Sequence, residues 1–355
     1  MCPELVLDEL AVGGVPSVGM LAFGADGTLY VARPAMGAVT AIAPARAGGD
    51  PGGAREINTF AEGLDLPYGL AYHDGALYVT GNGKVYRLRD TTGDGWADEH
   101  ITLIDDLPAG AGYWTNGIGV GPDGRLYVSQ GASCNACVEA DPRRGAVLSY
   151  ALDGSDMQIV ASGLHNPIGL AWHPATGELW VSESSRFIDE DDTIPPDELN
   201  RVVPGAHYGW PFCYSDREVD EAVPGASAAF CAATAPPALT FPARSTPAGM
   251  AFYRVAGDAA SAFAQMQGHL LVATNGSWNR ADATGYELLL VRFGDDGAPT
   301  GEVERITPYG PEPTWLLSQI DTGFYPERPL DVAVGPEGDI YVSIQEGQVF
   351  RFWAR

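Results

Sequence analysis

A chain of 355 residues, 45% of them hydrophobic, can bury a large core, and its 45 glycines and 27 prolines predict many short elements joined by turns, hence an all-β fold. Its 46 acidic against 20 basic residues leave a formal net charge of −26, a surface field that repels phosphate backbones and so excludes nucleic acid as a partner. No apolar run of about 18 residues occurs, so neither a membrane-spanning helix nor an intact signal peptide within residues 1–30 is expected.

One phrase recurs along the chain: "GADGTLYVA" at 24–32, "HDGALYVTG" at 73–81, "GPDGRLYVS" at 121–129, "HPATGELWVS" at 173–182 and "GPEGDIYVS" at 335–343. A sixth copy, "GHLLVAT" at 268–274, keeps the strand and loses the Asp-Gly turn. Each reads as a turn running into a half-buried strand. A small-residue strand such as "PYGLAYH" or "PIGLAWH" precedes most copies, and a third strand such as "GKVYRL" or "GQVFRFW" follows. The first spacings are about 50 residues, the period of a β-propeller whose blades bury their faces on each other. Six copies predict a six-bladed β-propeller filling residues 1–355 as one domain, with residues 183–246 inserted between blades four and five. Closure is expected from the N-terminal strand pairing beside the last blade.

Within this frame the candidate residues fall in chain order. "RDTTGDGWADEH" at 89–100 sets Asp90, Asp94 and Asp98 around a glycine turn, a pattern shared by a Ca²⁺ loop and a plain Asx-turn loop. Cys134 and Cys137 form a CxxC in a loop, and Cys213 and Cys231 bracket a proline- and acid-rich stretch. Both pairs read as structural disulfides of an oxidising compartment, the longer loop worth roughly 3 kcal/mol. Cys2 is left over and could mark the start of a lipid-anchored mature chain. The stretch 182–216 is dense in oxygen ligands, with Asp189, Glu190, Asp191, Asp192, Asp197 and Glu198 reading either as a Ca²⁺ site or as a solvated acidic loop.

The loops that lead into the innermost strands converge at one mouth of a propeller. They bring Tyr113, Trp114, Thr115 and Asn116 from blade three, His165 and Asn166 from blade four, Arg244 from blade five and Arg328 from blade six. Guanidinium groups there suit a carboxylate-bearing ligand, and the aromatic rings a planar ring or sugar; ion pairing with nearby acids is the competing role for each arginine.

The phrases "GLHNPIGLAWHPATGELWVSES", "PPDELNRVVPGAHYGWPFC", "NGSWNR" and "RPLDVAVGPEGDIYVS" resemble the soluble quinoprotein glucose/sorbosone dehydrogenases, from about blade two to the C-terminus. The resemblance implies an exported six-bladed propeller that holds pyrroloquinoline quinone (PQQ) with Ca²⁺ and oxidises a sugar, passing electrons to an external acceptor. It implies quinone contacts from Asn166, Arg328 and Arg280, the last residue of "SWNR", with Arg244 and Trp114 beside them. It also exposes departures. The family's catalytic histidine falls at Tyr113, its arginine before Asn-Pro at His165, and further histidines at Arg244 and Asn275. A phenol is a poor base near neutral pH, so His165 is the alternative imidazole for the same task. A sugar dehydrogenase with a remodelled base is therefore expected. The alternatives are a non-catalytic propeller that binds a sugar or a partner protein, and a Ca²⁺-dependent lactonase-like hydrolase.

Overall fold

The computed structural model describes residues 2–8, 17–44, 55–188, 191–255, 263–278, 280, 282–307 and 327–353. Six four-stranded antiparallel sheets succeed one another around an axis, the six-bladed β-propeller that the repeats predict. The innermost strands are Leu21–Phe23, Leu70–His73, Ile118–Val120, Asn166–Trp172, Pro247–Phe252 and Pro329–Val334. The recurring phrase forms the second strand of each blade, for example Ala76–Gly81 and Leu126–Gln130. Every residue of Ala76–Gly81 is buried because successive side chains enter different interfaces. Leu77 and Val79 pack on blade one, whereas Ala76 and Tyr78 pack on blade three.

The last blade closes as expected. Cys2–Asp8 pairs antiparallel with Gln348–Trp353, with Cys2 opposite Trp353 and Asp8 opposite Gln348. Arg351 clasps the seam, its Nη1 donating to Glu4 Oε2 at 2.9 Å and its Nε to Asp339 Oδ2 at 2.6 Å. The side chain of Cys2 lies outside the described residues. The stretch 183–246 corrects the expected boundary, because Asp197–Arg201 and Leu239–Phe241 lie inside it and are the third and fourth strands of blade four itself. Blade four is continuous with its insertions, which bulge from its own strand connections. Cys134–Cys137 and Cys213–Cys231 are both disulfides, as the cysteine spacing predicts. Among the described residues no helix is long and apolar enough to cross a membrane.

Glycines at the axis explain the small-residue strands. A Cβ on Gly117 would overlap the Ile168 carbonyl oxygen of the next blade, and one on Gly169 would overlap that of Ala248. A hydroxyl stitches each such junction: Ser129 Oγ accepts from Gly117 N at 2.8 Å and donates to Ile168 O at 2.9 Å, and Ser182 repeats this between Gly169 and Ala248. In blade six Asp331 stands where blades two to five have glycine, and its Oδ2 accepts from Leu21 N of blade one at 2.8 Å.

Burial pushes the Asp331 carboxyl up to about 7. The folded state therefore keeps a proton that the unfolded chain releases near pH 4, and the stabilisation from this group is full below that pH and lost as pH rises through about 7. Asp331→Asn is expected to flatten the decline of Tm between pH 5 and pH 8. Parallel declines in both proteins would show that Asp331 is not the titrating group.

Candidate active site

Met20, Tyr68, Ile168, Ala248 and Leu330 meet at the axis as an apolar plug. Above it opens a cavity of about 750 Å³, and four of the five plug residues, Tyr68, Ile168, Ala248 and Leu330, form its floor. Its walls bring together Tyr113 and Thr115 from blade three, His165 and Asn166 from blade four and Arg244 and Thr246 before blade five. Asn275, Trp278 and Gln345 are also among them. Trp114 does not line this cavity; it packs against the plug, its ring edge-on to Tyr68 with centroids 5.6 Å apart.

His165 is held from three sides. Its backbone N–H donates to Glu183 Oε1 at 2.6 Å, its carbonyl accepts from Ala132 N at 2.8 Å, and its Nδ1 lies 2.8 Å from the Ser184 carbonyl oxygen. A carbonyl only accepts, so Nδ1 carries the proton and Nε2 presents a lone pair. Nε2 is buried and has no hydrogen-bond partner among the described residues. Burial drives the imidazole down to about 4, so it is neutral at physiological pH. The Tyr113 ring stands edge-on to it at 4.6 Å between centroids. Burial raises the Tyr113 phenol above its ordinary value, which leaves it protonated and unsuited to be a base.

Glu183 is a residue that the motif search missed. Buried on the second strand of blade four, it anchors His165 through one oxygen and accepts from Asn200 Nδ2 at 2.9 Å through the other. Burial, reinforced by the neighbouring Glu198 charge, raises its carboxyl well above the usual range. The readable signal was an acid at an inward position directly after the recurring "WVS".

The arginines divide. Arg244 lines the cavity, with its guanidinium carbon 5.8 Å from the Phe187 ring centroid and Nη2 donating to Ile188 O at 2.7 Å. It adopts φ of 61°, and Thr246 adopts 51°. This strained turn is pinned by Asp197, whose Oδ2 accepts from Thr246 N at 2.7 Å and whose Oδ1 accepts from Ser185 N at 2.8 Å. Arg280 donates to the Ala243 carbonyl, next to that turn. Arg328 is 1% exposed and stands behind the wall, donating to the carbonyl oxygens of Asn275, Gly276 and Ser277 at 3.0–3.1 Å. The expectation that Arg280 and Arg328 face a ligand is corrected: neither lines the cavity, because backbone carbonyl oxygens draw both guanidinium groups into the surrounding loops.

The expected metal ligands are not brought together either. Asp90 Oδ1 and Oδ2 accept from Gly93 N and Gly95 N, Asp94 caps Trp96 N, and Asp98 binds Thr91 N and Oγ1, which is an Asx-turn loop. Asp197 spends both oxygens on backbone N–H groups, and Glu198 accepts from Ser215 N and Asn200. Among the described residues the sole group of three His, Cys, Asp or Glu side chains with ligand atoms within 4.8 Å is Cys134, Cys137 and Glu139, and its two cysteines are disulfide-bonded. Asp191 and Asp192 do line the cavity, whereas Asp189 and Glu190 lie outside the described residues.

Known proteins share this architecture. The iodide and calcium structures of the Trichoderma reesei carbohydrate-active enzyme family AA12 superpose with TM-scores of 0.79 and 0.77 at 21% and 20% identity, over 98% of this chain and 95% of theirs. The holo form of the pyranose dehydrogenase PQQ domain from Coprinopsis cinerea superposes with a TM-score of 0.75 at 17% identity, over 97% of this chain and 94% of that one. An uncharacterized protein of Borreliella burgdorferi is 27% identical over 317 residues, 84% of this chain and 78% of its own. The TrAA12-like family model matches residues 9–352, nearly the whole propeller with its loops. The chain belongs to the TrAA12-like family, that of the AA12 pyrroloquinoline quinone-dependent oxidoreductases.

Proposed function

We propose that the protein is a PQQ- and Ca²⁺-dependent dehydrogenase of aldose sugars, in which His165 takes the place of the family's usual histidine. The observation that carries this reading is the unpartnered Nε2 of His165, a neutral imidazole of fixed tautomer in the cavity wall.

The cavity suits the quinone. Its volume of about 750 Å³ lies in the range of ligand sites, and its polar side chains come from loops of several blades. Arg244 would bind a quinone carboxylate through its planar fork, and the amides of Asn166, Asn275 and Gln345 would bind carbonyl and carboxylate oxygens. The bound quinone supplies the two-electron acceptor. His165 Nε2 accepts the proton of the sugar's anomeric hydroxyl as the carbon is oxidised, and Ser184 O holds the resulting imidazolium through Nδ1. The plug closes the cavity floor, and Phe187 adds an apolar ring to the wall beside Arg244. For Ca²⁺ the support is the calcium structure of the Trichoderma reesei AA12 enzyme and the Asp191 and Asp192 carboxylates on the wall. Two disulfides fit an oxidising, extracytoplasmic compartment, where an external acceptor would take up the electrons.

A non-catalytic sugar-binding propeller is the second reading, favoured by Tyr113 at the family's histidine position and by its raised phenol. The two separate in one assay: protein loaded with PQQ and Ca²⁺ is given aldoses and a redox dye. Aldose-dependent dye reduction is expected. Sugar binding without reduction would establish the non-catalytic reading, and lactone hydrolysis without quinone would establish the hydrolase instead.

A further inference from the structure

Trp278 is 51% exposed although it lines the cavity, an unusual position for an indole. Its ring is not loose. The Arg328 guanidinium carbon lies 3.6 Å from the ring centroid, well inside the distance at which a cation attracts an aromatic face. Arg328 is itself immobile: besides its three carbonyl partners, its Nη2 donates to the Tyr286 hydroxyl at 3.3 Å, and its backbone N–H donates to Glu346 Oε2 at 3.1 Å. Tyr286 closes the arrangement, its hydroxyl donating to Ser277 O at 2.6 Å, directly beside Trp278. Gly276, at φ of 91°, has no room for a Cβ because the Tyr286 ring occupies that space. One face of the indole is thus backed by a fixed cation, leaving the ring anchored at the cavity rim.

We infer that Trp278 is the sugar-stacking platform of this site, binding the apolar C–H face of a neutral pyranose, with Arg328 as the positioning residue that holds it. The inference rests on the proposed sugar chemistry and names the residue that selects for it. A platform at the rim meets a ligand arriving from solvent, and burying C–H surface on a prepositioned ring avoids the entropy of ordering it. The neutral charge follows from the stacking itself: a pyranose C–H face packs on the indole by burying apolar surface, whereas a carboxylate held against the ring would lose its hydration without a partner.

The test combines calorimetry and kinetics on full-length wild type, Trp278→Ala and Trp278→Phe, with D-glucose and cellobiose as probes and PQQ affinity measured separately. Trp278→Ala is expected to weaken binding of at least one of the two sugars about tenfold and raise its KM similarly, with kcat and PQQ affinity within about threefold. Trp278→Phe, which keeps a ring face, is expected to recover most of the loss. Calorimetric binding needs no turnover, so it judges the platform even if the protein oxidises no sugar. Equal sugar affinity in wild type and Trp278→Ala would overturn the inference, as would a loss confined to PQQ or the absence of binding of either sugar to wild type.

Discussion

His165→Ala is expected to lower kcat for aldose oxidation about 1000-fold while leaving PQQ affinity within about threefold, since a positioned general base contributes 10²–10⁴. Tyr113→Phe, which keeps the ring that packs on the imidazole and removes only the hydroxyl, is expected to retain turnover within about threefold. The pH profile carries the same signature. With the imidazole pushed down to about 4, the neutral form persists well into the acid range, so the acid limb of kcat/KM falls below about pH 5 and not near 6.5. The sign for stability is that of a depressed histidine: its folded-state contribution is present above pH 6.5 and lost as pH falls toward about 4. Unchanged turnover in His165→Ala would remove His165 from the reaction, and a large loss in Tyr113→Phe would transfer the role to the phenol.

Gly117→Ala is expected to be a severely damaging single-methyl change at the axis. The added Cβ would overlap the Ile168 carbonyl oxygen and crowd Ser129 Oγ, and both belong to the hydroxyl stitch between blades three and four. Neither is the free end of a flexible side chain, so relief requires the blades to separate, at a cost of about 4 kcal/mol or more. Gly124→Ala is the control. Gly124 has φ of 76° but open space around its Cβ position, so only the backbone strain of about 1–2 kcal/mol applies. Denaturant unfolding of both variants checks this, and equal losses would mean that the axial contact is not what selects glycine.

The scaffold was readable because it repeats. Turn-plus-strand phrases such as "GPDGRLYVS" report a backbone requirement, and that requirement recurs in every blade. The glycines before Leu70, Ile118 and Leu170 were legible as small residues, and the structure supplies the reason in the neighbouring blade's carbonyl. The site was only half legible. Tyr113, His165, Asn166 and Arg244 meet in one cavity because each lies at or a few residues before the start of an innermost strand, a position that the repeat phase specifies. Arg328 has the same position in sequence, yet three carbonyl oxygens draw it behind the wall, and no sequence period records where a long side chain points. Asp197 misled for a related reason: a buried acid looks like a metal ligand until its two oxygens are found capping Thr246 N and Ser185 N. The outer boundary of blade four was missed because its last two strands, Asp197–Arg201 and Leu239–Phe241, are separated by a long disulfide-closed excursion.

The most direct measurement is a titration of chelator-treated protein with PQQ, with and without Ca²⁺, followed by quinone absorbance and by Tm. Saturable uptake with a rise in Tm, strengthened by Ca²⁺ and weakened by Arg244→Ala, is the result expected if this cavity is the quinone site. No uptake at high micromolar quinone with Ca²⁺ present would contradict the assignment of a quinone-dependent reaction to this chain.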